Sequence, residues 1–171
     1  QKLKSRLMMN TNKNENQANL AVEKSIIKIM IIEDNRFIRS GWEAIIQSNK
    51  NFNLTGSFSD CESAFKTEVL KKTDLVLMDI GLPGMSGIEG TKYLKEKYPE
   101  ILIVMCTVHE DSDEIFQAIC AGAVGYLMKK TSPDELIKSL IEAYNGGSPM
   151  TPSVARKVIG SFQNLKTSDV K

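Results

Sequence analysis

The sequence predicts an α/β fold, a doubly wound parallel sheet covered by helices on both faces. Three observations lead there. Short continuous apolar runs recur at Ile29–Ile32, Leu75–Met78, Ile101–Met105 and Val124–Met128, with a more mixed run at Phe52–Phe58. Unbroken runs of this length suit strands buried on both faces, as parallel strands are. Amphipathic segments with helix-start signals lie between them, and strand–helix alternation at this density implies strands joined by helical crossovers.

In chain order, residues 1–25 are polar, rich in Asn, Lys and Gln, and lack any apolar period, which predicts a disordered leader. Lys2, Lys4 and Arg6 imitate the basic start of a signal peptide, but no apolar stretch follows them, so export is not expected. The adjacent Met8 and Met9 suggest a vector remnant ahead of a native start. After the first run, Ile38, Trp42, Ile45 and Ile46 recur at helical spacing behind Asn35. Ser59-Asp-Cys-Glu62, Ser86-Gly-Ile-Glu89 and Ser132-Pro-Asp-Glu135 each have the Ser-x-x-Glu form of a capping box. There the Ser oxygen and the Glu side chain satisfy orphan N–H groups of a helix start. Pro133 fits a first helical position, and Leu136, Ile137, Leu140, Ile141 and Tyr144 then form one stripe ended by Gly146-Gly147. A helix within Asp111–Ala121, carrying Ile115 and Ile119, fills the remaining gap. The result is five βα units over Ile27–Gly146.

Beyond them, Thr151-Pro152 predicts another helix start, with Val154, Ala155, Val158, Ile159 and Phe162 as its stripe and a polar end at Asn164–Lys171. Such a stripe means that the helix packs, either capping the domain or meeting a second chain.

Charge is almost balanced over the 171 residues: 22 Lys+Arg against 21 Asp+Glu, net +1. That argues against a polybasic nucleic-acid binder and against a polyacidic tail. The length corresponds to one domain of ~150 residues with some to spare. A composition 42% hydrophobic supports a core without disulfides. No apolar run is long enough to span a bilayer, so no membrane partner is expected. Cys61, Cys106 and Cys120 are odd in number and lack metal or redox spacing; they read as reduced thiols of a cytoplasmic protein.

Ligands of open parallel sheets bind outside the carboxyl ends of the strands. There the first predicted strand carries Glu33-Asp34, the third Asp79, the fourth Thr107 and the fifth Lys129-Lys130. Alone, each has an ordinary explanation as a solvated loop, a turn residue or a lysine in water. Together they bring three carboxylates, a hydroxyl and one or two ammoniums to one edge. Close carboxylates repel, and a hard divalent cation resolves the conflict. Mg²⁺ takes oxygen ligands, keeps several waters and meets phosphate oxygens. The edge therefore suits a phosphoryl group, with Asp79 as nucleophile, Lys129 as counter-charge and Thr107 as donor. The glycines of Leu82–Gly87 spell no dinucleotide fingerprint, and no G-x-x-x-x-G-K-[ST] loop is present, so nucleotide binding is not expected.

Ile31-Ile-Glu-Asp-Asn35, Leu77-Met-Asp-Ile-Gly-Leu-Pro-Gly-Met-Ser-Gly87, Val104-Met-Cys-Thr107 and Gly122-Ala-Val-Gly-Tyr-Leu-Met-Lys129 resemble the four signature blocks of the response-regulator receiver domain. Order and spacing fit as well, with Asp34, Asp79, Thr107 and Lys129 separated by 45, 28 and 22 residues. The resemblance implies a flavodoxin-like (βα)5 sheet of strand order 2-1-3-4-5 over residues 26–147, with 148–171 as a linker helix and tail. It implies that Asp79 takes a phosphoryl group from a phosphohistidine on a sensor histidine kinase. Asp34, Asp79 and the Gly81 carbonyl would ligate Mg²⁺, and Glu33 would hold a water of the metal. Lys129 would contact phosphoryl oxygens, Thr107 would move to bond them, and Tyr126 would change rotamer to follow. Asp79, Lys129 and Thr107 are thus the catalytic set of a regulatory phospho-acceptor that is not a separate enzyme. Phosphotransfer and slow dephosphorylation would both occur at its own Asp79. The output face would span Asp111–Gly146.

Tyr126–Lys129, the Gly146–Met150 turn and the helix after it look most like the NarL/FixJ (LuxR-type) subfamily, whose receivers lead to a helix-turn-helix. DNA would then be bound only through a C-terminal domain that this chain does not contain, and a homodimer stays open. An expressed fragment, a stand-alone receiver and a divergent output segment are the three explanations, the N-terminus favouring the fragment. Val108 is bulkier than the small residue usual after the switch Thr and would narrow access to Asp79. His109, the single histidine, is expected as an exposed loop residue at the site mouth. Two other classes fit the residues less well. A phosphatase or phosphomutase would need a second Asp where Asp79-Ile-Gly81 has none, and a flavodoxin-like electron carrier would set FMN phosphate against the carboxylates.

Overall fold

The computed structural model describes residues 25–168, so all of the expected leader except Ser25 lies outside the described residues. Eleven main elements alternate: β1 (Ile27–Ile32), α1 (Arg36–Ser48), β2 (Phe52–Phe58), α2 (Cys61–Phe65), β3 (Leu75–Met78), α3 (Gly87–Lys97), β4 (Leu102–Thr107), α4 (Ser112–Ala121), β5 (Gly125–Met128), α5 (Pro133–Tyr144) and α6 (Pro152–Ser168). A 3-10 turn at Glu68–Lys72 follows α2. The five strands form one sheet of order β2-β1-β3-β4-β5, all neighbours parallel.

Successive strand side chains point to opposite faces, and each apolar run feeds two cores. Ile29, Ile31, Leu75, Leu77, Val104 and Leu127 face α1 and α5, packing with Trp42, Ile46, Leu136 and Leu140. Met30, Ile32, Val76, Met78, Ile103 and Met105 face the other layer, with Ala64, Leu94, Ile115, Ala118 and Val154. Both faces are covered because both halves of every run are apolar.

Helix starts agree with the sequence unevenly. Only Ser86 forms a complete capping box, its oxygen taking the Glu89 N–H while the Glu89 carboxylate takes the Ser86 N–H. Ser132 caps α5 through the Glu135 N–H, but the Glu135 carboxylate pairs with Lys138 instead. The box expected at Ser59 is displaced: Asp60 is the cap of α2, and Glu62 reaches across to accept the Met85 N–H at 2.8 Å. An Asp carboxylate competes well with a Ser hydroxyl for this position, and Asp60 stands one residue nearer the helix.

The C-terminal stripe is narrower than expected. Val154 is fully buried and Val158 packs against the core, while Ile159 and Phe162 are 59% and 56% exposed. The helix lies along α4, with Phe116 and Phe162 edge to face at 6.0 Å. The segment leading into α6 adds an unpredicted bridge beside β5, the Tyr126 N–H donating to the Pro149 carbonyl at 2.9 Å. Cys61 and Cys106 are buried and Cys120 exposed, all as free thiols; burial pushes the first two up to about 12. Among the described residues, no helix is long and apolar enough to cross a membrane.

Candidate functional site

The strands end at the same edge, and their ends carry the charged residues. β1 stops at Ile32, and Asn35 caps α1 by accepting the Phe37 and Ile38 N–H groups, so Glu33 and Asp34 occupy the turn between them. Asp79 follows β3 directly and its N–H donates to the Ile32 carbonyl at 3.0 Å, which docks the two strand ends together. Lys129 follows β5, tied to β4 by its N–H on the Thr107 carbonyl.

Oxygens of Glu33, Asp34 and Asp79 lie within 4.8 Å of one another. Glu33 is fully buried and Asp79 nearly so, while Asp34 is exposed. The Lys129 ammonium sits between the buried two, 2.7 Å from Glu33 Oε2 and 2.9 Å from Asp79 Oδ2. Its approach to Glu33 Oε2 falls outside hydrogen-bond angles, leaving that oxygen ion-paired but without a hydrogen bond. Glu33 Oε1 takes the Asn35 N–H and Asp79 Oδ1 the Ile80 N–H. Burial raises the Glu33 carboxyl above its ordinary range despite bonds from Lys129 and Asn35, and the Asp79 charge adds to the rise. Burial works against the Lys129 ammonium too, but its bonds to Glu33 and Asp79 outweigh that, and its pKa is raised.

The donor set suits a hard cation. All three groups offer carboxylate oxygen, and one buried Glu33 oxygen has an unmet hydrogen-bonding demand. Opposed ligands of an octahedral Mg²⁺ stand about 4.2 Å apart, twice the metal–oxygen distance. The three carboxylate oxygens lie within 4.8 Å of one another, a spread of that order, with Glu33 partnered by the Asn35 N–H and the Lys129 ammonium.

The other expected residues divide. Thr107 is fully buried, its Oγ1 accepting the His109 N–H at 3.3 Å. Tyr126 is fully buried with its hydroxyl donating to the His109 carbonyl at 2.9 Å. Gly81 adjoins Asp79: a Cβ there would stand 3.8 Å from Asp79 Oδ2. Lys130 does not join; its side chain is 78% exposed and pairs with Glu110. Val108 projects largely into solvent. His109 is half-buried, not freely exposed, because Nδ1 pairs with Glu114 at 2.9 Å while Nε2 lies against Gly81.

Several contributors escaped sequence reasoning. Gly87 opens α3 so close to the end of β3 that a Cβ would lie 2.0 Å from the Asp79 carbonyl oxygen. Gly84 has φ +70, and the Met85 N–H after it donates to the Glu62 carboxylate, which pins the β3–α3 loop from α2. Trp42, expected only as core, also lies under the Lys129 ammonium at 5.9 Å from the ring centroid. Arg39 donates to the Glu33 and Asp34 carbonyls. The glycine-rich run Leu82–Gly87 was the one available signal for the first two.

A doubly wound sheet with three acids and a lysine gathered at its carboxyl edge defines a phospho-signalling receiver. The chain belongs to the response regulator receiver domain family, whose model matches residues 29–141. It is 29% identical to the transcriptional regulatory protein DegU of Brevibacillus brevis over 88% of this chain and 64% of that protein. It is 30% identical to the transcriptional regulatory protein LnrK of Bacillus subtilis (strain 168) over 82% of this chain and 64% of that one. A crystal structure of a LuxR-family two-component response regulator from an Aurantimonas species superimposes with a TM-score of 0.74 at 28% identity, covering 80% of this chain and 98% of that chain. The receiver is thus of the NarL/LuxR type. The chain spans less than two thirds of the length of the first curated relatives it matches. Neither a phosphomutase-like enzyme nor a flavin carrier finds support among these relatives.

Proposed function

We propose that the chain is the phospho-accepting switch of a two-component transcription regulator. A sensor histidine kinase presents a phosphohistidine, an Asp79 carboxylate oxygen attacks its phosphorus, the P–N bond breaks and the imidazole leaves. Mg²⁺, when bound, offsets the charge of the acceptor and of the phosphoryl oxygens. Asp34, Asp79 and the Gly81 carbonyl would be its ligands, and Glu33, whose oxygens face the Asn35 N–H and the Lys129 ammonium, would act at one remove. Lys129 leaves Asp79 Oδ2 to pair with the transferred group. Thr107 Oγ1 accepts from His109, so its own proton is available for a phosphoryl oxygen. Tyr126 exchanges its bond to the His109 carbonyl for a second rotamer, which biases the face made by α4, β5 and α5. Slow hydrolysis of the acyl phosphate at Asp79 resets the switch. Residues 26–147 form the receiver in this reading and 148–171 the linker to a DNA-binding output, all within the cytoplasm.

The observation that carries the reading is the Lys129 ammonium between Asp79 and Glu33 with Asp34 in the same cluster. Incubated with Mg²⁺ and acetyl phosphate, the wild type gains the mass of one acid-labile phosphoryl group and Asp79→Asn gains none. An unchanged wild-type mass with several donors would sink the proposal.

A further inference from the structure

Neighbouring side chains on an extended strand point to opposite sides. Glu33 and Asp34 are neighbours, yet both place an oxygen in one cluster with Asp79, so the chain must bend sharply between them. That bend leaves the carbonyls of Glu33 and Asp34 beyond the end of β1 and before the start of α1. Among the described residues no backbone N–H reaches either of them. One side chain does. Arg39 Nη1 donates to the Glu33 carbonyl at 2.6 Å and to the Asp34 carbonyl at 3.2 Å.

Arg39 stands one turn into α1, where side chains lean back toward the helix N-terminus. A cation there is opposed by the helix dipole, so its position requires compensation. Two carbonyls and the neighbouring carboxylates supply it. The same turn is closed from within by the Asn35 N–H, which donates to Glu33 Oε1 at 2.9 Å. The arrangement is a clamp: a charged fork on the outside, an amide–carboxylate bond on the inside.

We infer that Arg39 is a positioning residue for the cation site, its guanidinium holding the Glu33–Asp34 turn in the bend that gathers both carboxylates beside Asp79. The inference rests on the Mg²⁺ reading above, and it makes two opposing demands on one residue. The positive charge of Arg39 repels a divalent cation, while its hydrogen bonds preorganise the ligands. Groups that orient metal ligands from behind are typically worth 10- to 100-fold in affinity, so the clamp outweighs the repulsion.

Two measurements on Arg39→Ala and Arg39→Lys decide it. Amide exchange in chelator reads the clamp without metal: Asn35 exchanges faster in Arg39→Ala, while the β4 amides are unchanged. Calorimetric titration with Mg²⁺ then shows about tenfold weaker binding in Arg39→Ala. Arg39→Lys, keeping the charge and one donor group, recovers part of both. Unchanged Asn35 exchange together with equal or tighter Mg²⁺ binding in Arg39→Ala would overturn the inference, leaving Arg39 as a charge only. A wild type that binds no Mg²⁺ overturns the metal reading itself, and Asn35 exchange still judges the clamp.

Discussion

At the carboxyl edge of the sheet, Glu33, Asp79 and Lys129 are buried in one another's company. On α4, by contrast, α6 is fastened by Val154, Val158 and the Phe116–Phe162 pair, with much of its outer side in water. The first region stores an electrostatic conflict, since two buried carboxylates share one ammonium. Its balance shifts with any proton or cation that arrives. The second region is held by apolar burial, which responds to neither. They meet, among other places, at one loop. The β4–α4 loop offers the His109 carbonyl to Tyr126 from the sheet and the Glu110 carbonyl to Lys157 from α6. A charge-sensitive edge and a helix held mainly by apolar burial therefore share this stretch of backbone.

The comparison can be broken most forcefully at Gly87. Its absent Cβ would meet the Asp79 carbonyl oxygen at 2.0 Å and Ile80 Cα at 2.9 Å, both backbone and unable to swing away. Gly87→Ala should cost about 3 kcal/mol in urea unfolding, at the top of the usual range for overpacking. A loss below about 1 kcal/mol would mean that α3 moves off the acceptor strand easily.

Truncating the other region should cost less and leave the edge alone. Val154 is fully buried, and Val154→Ala should lose about 2 kcal/mol by transfer and cavity terms. Faster amide exchange in α6 with unaltered Mg²⁺ titration is the expected pattern. A matching change in Mg²⁺ affinity would show the two regions to be one.

The smallest effect is a slope. Burial raises the Glu33 carboxyl, so the folded protein keeps a proton that the unfolded chain has released. In chelator, stability therefore falls as pH rises from the ordinary carboxylate range through the raised value. The linkage is at most about 1.4 kcal/mol per pH unit for one proton. Glu33→Gln should flatten that segment, and Val154→Ala should not. Equal slopes in Glu33→Gln and wild type would assign the titration elsewhere.

How much could be read beforehand follows from where each signal resides. The five βα units were legible because burial on both faces makes parallel strands uniformly apolar, a pattern that needs no partner to be recognised. Glu33, Asp34, Asp79, Thr107 and Lys129 were legible because such sheets put function at strand carboxyl ends. The same rule left open whether Lys130 joins Lys129, because it names a position and not the direction of a side chain, and His109 was placed at the site mouth without its partners. Lys130 points outward to Glu110, and His109 is drawn in by Glu114 and Gly81.

By itself, then, the sequence determined the element order, the two-faced core and the residues brought to one edge, because local periodicity and chain topology dictate those. Only the tertiary structure decided that Lys129 bridges Glu33 and Asp79, that Arg39 and Glu62 clamp the loops bearing the acids, and that α6 lies on α4. The reason is physical. The bridge and the helix contact depend on which way side chains point, and the two clamps use backbone carbonyls and an amide, which every residue carries alike. What distinguishes one carbonyl from another is where the folded chain has left it without a partner.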